Sequence, residues 1–121
     1  MLEASDHTRR VVIVEDEPFT RRVLSRMLQQ SGWAVDEVAG GLAALAIIDA
    51  RPPSVVLTDL RMPGMDGVQL VEIPKERAPG VPVVVMTGSG EIATAVRAMR
   101  AGAADYLTKP IDIEALMLAL E

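Results

Sequence analysis

Short apolar runs recur along the chain, and after each one the apolar positions return every three or four residues. Val11 to Val14 is the first run and breaks off at Glu15-Asp16-Glu17-Pro18. Pro18 suits the first turn of a helix, where its missing N–H has no partner to lose. The following stretch places Val23, Leu24, Met27 and Leu28 on one stripe and Arg21, Arg22, Arg26 and Gln29 on the other, with Gly32 positioned to end the helix. Ala34 to Val38 is a second strand, and a helix from Gly41 to Ala50 carries Leu42, Leu45 and Ile48 before Arg51-Pro52-Pro53 closes it. Val55 to Asp59 is a third strand, and after a loop rich in Pro and Gly a helix holds Val68, Leu70 and Val71. Pro74 removes one bond of the helix ladder and crowds the carbonyl four residues back, so this helix is expected to stop or kink near Ile73.

Val83 to Met86 is the fourth strand. Thr87-Gly88-Ser89-Gly90 leads into a helix with Ile92, Ala95, Val96 and Met99 at helical spacing, which Gly102 ends. Tyr106-Leu107 is a brief fifth strand. Beyond Lys109-Pro110, Asp112 reads as the N-cap of a last helix with Ile113, Leu116, Met117 and Leu120 on its inner face. Five strands alternating with five helices, the strands apolar throughout, predict an α/β fold with a parallel sheet covered on both faces. Ligands of such sheets bind at the carboxyl ends of the strands.

The 121 residues are expected to form a single domain, 1–121, whose last helix is still periodic where the sequence ends, as in either a longer regulator cut short or a minimal single-domain form. Half the residues are hydrophobic but only Phe19, Trp33 and Tyr106 are aromatic, so Val, Leu, Ile, Met and Ala must fill the core, with Trp33 and the methionines as packing. The absence of cysteine excludes disulfides and thiolate zinc, and the lone His7 excludes most histidine-rich metal centres. A net charge of −5 offers no basic footprint for direct nucleic-acid contact. No apolar run reaches the ~20 residues of a membrane helix and no signal-peptide core is present. A cytoplasmic protein with no membrane contact is expected.

Four of the five strand ends carry a reactive group: Glu15-Asp16, Asp59, Thr87 and Lys109. Any one alone is better read as a cap or a solvated charge, but a parallel sheet would bring all of them to one edge. Clustered carboxylates raise one another's pKa unless a cation compensates. With oxygen donors only, Mg²⁺ is the natural ion, and it accepts phosphate oxygens readily. Lys109 is then a point charge for a phosphoryl oxygen, and Thr87 with the backbone N–H groups of Gly88-Ser89 supplies donors to the same group. Asp59, at the rim of a buried strand, is the best-placed nucleophile.

The segments VVIVEDEP, VVLTDLRMPGMDG, PVVVMTGSG and DYLTKP, in that order and spacing, resemble the receiver domain of two-component response regulators over essentially the whole chain. The resemblance implies a doubly wound, flavodoxin-like sheet of order 2-1-3-4-5. It implies phosphorylation of Asp59 by a histidine kinase or phosphotransfer protein. It implies that Mg²⁺, or Mn²⁺ in its place, is held by Asp16, Asp59 and the Arg61 backbone carbonyl, with Glu15 on a metal-bound water. It further implies phosphoryl binding by Thr87, Gly88 and Lys109, a switch made of Thr87 and Tyr106, and a cis Lys109-Pro110 bond. The implied activity is that of a switch that loses its phosphate slowly to water rather than of a metabolic enzyme. An output domain, of transcriptional type by motif style, and a phosphorylation-linked homodimer belong to the same expectation. Ile73-Pro74 departs from the family pattern.

Two other readings compete. An aspartate-nucleophile phosphatase of the haloacid dehalogenase type wants a second Asp two residues after the first, where this chain has Arg61. A pseudo-receiver that signals without phosphate would not need Glu15, Asp16, Asp59, Thr87 and Lys109 together. His7 reads as inert, and the Arg21, Arg22, Arg26 group as a solvated helix face. Arg61 and Ser89 flank the acids, where they could tune hydrolysis.

Overall fold

The computed structural model describes residues 9–61, 67–77, 80–88 and 91–120, and no side chain at Gly67 or at 74–77. His7 and Ser89 lie outside the described residues. The elements run β1 (Arg10–Val14), α1 (Pro18–Gln30), β2 (Ala34–Val38), α2 (Gly41–Ala50), β3 (Val55–Asp59), α3 (Gly67–Arg77), β4 (Val83–Thr87), α4 (Ile92–Ala101), β5 (Asp105–Thr108) and α5 (Ile113–Leu120). All strand pairings are parallel, and the order is β2-β1-β3-β4-β5, as expected from the resemblance.

Because successive strand residues point to opposite faces, each apolar strand feeds two cores. Val12, Val14, Val56, Val83 and Val85 pack on one side with Ala44, Ile48, Leu70 and Ala98 of α2, α3 and α4. Val11, Ile13, Leu57, Val84 and Met86 pack on the other with Leu24, Leu28 and Leu116 of α1 and α5. Each fully buried Val or Leu contributes on the order of 2 kcal/mol relative to exposure, so the two layers carry the stability of the fold. Trp33 closes the second core, with the Arg9 guanidinium 5.1 Å above its ring.

The helix ends follow the sequence closely. Pro18 opens α1, and the Glu17 carboxylate accepts from the N–H groups of Phe19 at 3.2 Å and Thr20 at 2.7 Å. Gly32 and Gly102, at φ 93° and 112°, take the left-handed conformation that ends α1 and α4. Asp112 accepts from the Ala115 N–H at 3.1 Å and caps α5. The Lys109-Pro110 bond is cis.

Several expectations need correction. The helix α3 runs on to Arg77 through Pro74 instead of stopping near Ile73. A proline costs one ladder bond, and the buried Leu70 and Val71 hold the preceding turn against the sheet strongly enough to bear it. β2 is not apolar throughout: it is the sheet's edge, half exposed, and carries Asp36 and Glu37. The inner faces of three helices are built from smaller residues than the periodicity selects. Leu42 and Ile92 are 76% and 78% exposed, Val23, Val96 and Met99 are also exposed, and Ala44, Ala98 and Ser25 are buried in their stead, while Ala95 is buried as expected; on α5 Ile113 is exposed too, and Leu116 and Leu120 are buried. Helices lie close on a parallel sheet, and alanine or serine fills the contact where leucine would overfill it.

Candidate functional site

The sheet order reverses between β1 and β3, and the crevice outside their carboxyl ends is where the acids meet. Glu15 follows β1 directly and is 1% exposed; its N–H donates to the Val38 carbonyl at 3.1 Å, which fixes the turn. Asp59 is the last residue of β3, and Thr87 the last of β4. Lys109 reaches across from the end of β5. Its Nζ donates to Glu15 Oε1 at 3.0 Å and to Asp59 Oδ2 at 3.1 Å. One carboxylate oxygen from each of Glu15, Asp16 and Asp59 lies within 4.8 Å of the others.

This set fits a hard divalent cation: three carboxylates converge, Asp16 is exposed on the open side, and the donors are all oxygen. The electrostatics show the crowding. Burial pushes the Glu15 carboxyl above its ordinary value of 4.5, and the Asp59 charge adds to the rise against the Glu17 N–H and Lys109. Burial alone would lower Lys109, but its bonds to Glu15 and Asp59 outweigh that and hold the ammonium above its usual 10.5. One cation is thus shared by two buried acids, and a second positive charge would be welcome.

The other expected residues are placed around this centre with less direct contact. The Arg61 N–H points to Asp59 Oδ1 at 3.4 Å. The Thr87 hydroxyl is buried and donates to the Leu107 carbonyl at 3.4 Å, a long bond. The Lys109 N–H donates to the Thr87 carbonyl at 2.8 Å, tying β4 and β5 together at the rim. Tyr106 is 47% exposed at the edge of a groove of about 740 Å³ between α4 and β5, whose walls include Thr87, Ile92, Val96 and Lys109.

Two residues at the site escaped the sequence reading. Arg21 is not merely a solvated side chain of α1: its Nη1 donates to the Glu15 carbonyl at 2.8 Å and its guanidinium pairs with Glu37 at 3.6 Å. Glu91 accepts from the Gly88 N–H at 2.6 Å and pairs with the Arg61 guanidinium. For Glu91 a signal existed, since a glutamate three residues after the start of a turn is the spacing of the return bond in a capping box. Nothing in the spacing of Arg21 pointed to a backbone carbonyl.

A doubly wound α/β sheet with acids at the β1–β3 switch point and a lysine facing them from the last strand defines a phosphoryl-switching class of protein. The chain belongs to the response regulator receiver domain family, whose family model matches residues 11–121. It is similar to the photosynthetic apparatus regulatory protein RegA of Rhodovulum sulfidophilum, 41% identical over 110 residues that cover 91% of this chain and 60% of that protein. It is also similar to the DNA-binding transcriptional regulator NtrC of Salmonella typhimurium, 40% identical over 92% of this chain and 24% of that one. The chain therefore spans about 60% of one relative's length and a quarter of the other's. Among solved structures, the receiver domain of NtrX from Brucella abortus superposes with a TM-score of 0.85 at 34% identity, covering 91% of this chain and 97% of that one. FixJ-N superposes at 0.87 with 37% identity, covering 94% and 91%. The chain is a receiver domain of the two-component type, from a family of signalling switches that accept phosphate and bind Mg²⁺ in an acidic pocket. Among the described residues no helix is long and apolar enough to cross a membrane.

Proposed function

We propose that Asp59 is the phosphoacceptor of this receiver. The supporting observation is the Lys109 ammonium bridging Glu15 and Asp59 at 3.0 and 3.1 Å, with Asp16 beside them. Asp59 sits on a strand buried along its whole length, so its carboxylate has a fixed position and approach. One of its carboxylate oxygens attacks the phosphorus of a phosphohistidine on a partner kinase or phosphotransfer protein. The P–N bond breaks as the new P–O bond forms, and the imidazole nitrogen keeps the electron pair and takes a proton from solvent.

Glu15, Asp16, Asp59 and the Arg61 carbonyl would hold Mg²⁺, with Mn²⁺ able to replace it. Bound there, the ion neutralises charge on the transferring oxygens. Lys109 supplies the same service from the opposite side, exchanging a carboxylate oxygen for a phosphoryl oxygen. Gly88 offers its N–H, and Thr87 its hydroxyl.

The phosphoryl group adds about −1.5 to −2 charge, which favours the arrangement with the most donors turned toward it. The Thr87 hydroxyl gives up only a long bond to Leu107 when it swings to the phosphate. Its departure opens the groove beside β5 to the Tyr106 ring, which is half exposed in this state. The outer faces of α4 and β5 then change shape together, and an output domain or a second copy of the chain reads that change.

Intact mass spectrometry after incubation with acetyl phosphate tests the proposal. One phosphoryl group is expected on the wild type with Mg²⁺, with none when EDTA replaces the ion and none on Asp59→Asn. Equal labelling of Asp59→Asn would overturn it.

A further inference from the structure

Glu91 stands at the N-cap of α4 yet makes no bond to the amides of its own helix. An acidic cap is ordinarily used on those amides. Here both oxygens are committed elsewhere: Oε1 accepts from the Gly88 N–H at 2.6 Å, and Oε2 pairs with the guanidinium of Arg61 from the loop after β3. The carboxylate side chain is 10% exposed, whereas Arg61 is 82% exposed and free to follow it or leave. The side chain folds closely over Gly88, since a Cβ there would meet Oε1 at 3.2 Å.

Gly88 directly follows Thr87, whose carbonyl is fixed by the Lys109 N–H. Its amide therefore belongs to the rim on which Lys109 and Asp59 meet. A single N–H serves one strong acceptor at a time, and a charged acceptor at 2.6 Å is a strong one. Given the proposed phosphorylation of Asp59, on which this inference rests, we infer that Glu91 is a resident competitor for the phosphoryl group. It occupies the Gly88 donor in the resting state and must be displaced before the phosphoryl oxygens can use it. Arg61 pairs with the competitor's other oxygen. Displacing Glu91 frees the start of α4, so the same exchange that binds phosphate loosens the helix at the switch surface. Glu91 is a positioning residue, acting through the Gly88 amide rather than on the reacting atoms.

The test is a titration of the whole chain with beryllofluoride and Mg²⁺, read from the amide cross-peaks by NMR, for wild type, Glu91→Ala and Glu91→Gln. Alanine removes the acceptor; glutamine keeps its shape without its charge. Glu91→Ala is expected to bind about threefold to tenfold more tightly than wild type, the range one hydrogen bond commands. Glu91→Gln is expected to fall between the two. In the unliganded state the Gly88 amide proton should move upfield in Glu91→Ala. If wild type binds and both variants bind with the same or weaker affinity, the competitor role is wrong while the phosphoacceptor reading stands. If no form binds beryllofluoride and acetyl phosphate adds no mass to wild type, the phosphoacceptor reading fails and takes the competitor with it.

Discussion

Replacing Lys109 by methionine keeps most of the stem and removes the ammonium that Glu15 and Asp59 share. In an effective dielectric of about 20, two unit charges 3 Å apart attract by roughly 5 kcal/mol, and Lys109 makes two such contacts, at 3.0 and 3.1 Å. Most of that is offset by taking three ionic groups out of water. Unpairing a fully buried ion costs about 3–5 kcal/mol, and with the lysine side chain 30% exposed a loss near the lower end, about 3 kcal/mol, is expected at pH 7 without metal. In a domain of this size that lowers the thermal midpoint by roughly 10 °C. Lysine's contribution is full at pH 7, because its folded pKa lies above the ordinary 10.5 and the stabilisation is lost only as pH rises through that higher value. The assay is thermal unfolding in EDTA and then in Mg²⁺. Mg²⁺ should restore more stability to Lys109→Met than it adds to wild type, since it replaces the missing charge. A variant as stable as wild type in EDTA, or one that gains no more from Mg²⁺, would refute the idea that the ammonium holds the acids together.

Further outcomes follow from the same structure. Metal-free Glu15→Gln should be more stable than wild type in urea, because it removes one buried charge from a crowded set, while its Mg²⁺ affinity should fall. The folded pKa of Glu15 is raised, so in the metal-free protein its ionisation subtracts stability as pH climbs from about 4.5 through that higher value, and Mg²⁺ titrations should show affinity weakening as pH falls through the same interval. Ala98→Leu should cost about 1–3 kcal/mol by overfilling the core, while Ile92→Ser should stay within about 0.5 kcal/mol, which urea midpoints would distinguish. Pro74→Ala should raise the urea midpoint, adding up to about 3 kcal/mol by restoring the missing bond to α3.

The strands were legible because a sheet covered on both faces demands continuous apolar runs. Val11 to Val14, Val55 to Asp59 and Val83 to Met86 fall where the pattern puts them. The convergence of Glu15, Asp16, Asp59 and Lys109 was legible for a related reason: parallel topology sends every strand's carboxyl end to one edge. The helix faces were harder. Periodicity marks the largest apolar side chains, but the distance between helix and sheet decides which residues fit, and it favoured Ala44 and Ala98 over Leu42 and Ile92. Outward-facing Ile92, Val96 and Met99 also line the α4–β5 groove, so their hydrophobicity belongs to a surface rather than a core. The continuation of α3 through Pro74 was hidden because tertiary burial of Leu70 and Val71 overrides local preference. Glu91 and Arg21 act on backbone groups of other loops, and such contacts leave little trace in spacing alone.

The central claim is that the Asp59 carboxylate, among all the acids at this edge, takes the phosphoryl group. Borohydride reduces an aspartyl phosphate to homoserine, so protein treated with acetyl phosphate and Mg²⁺, reduced and peptide-mapped, reports the acceptor directly. Homoserine at position 59 and nowhere else is the predicted result. Homoserine at position 16, or an unmodified Asp59 in protein that has gained a phosphoryl group, would contradict the account.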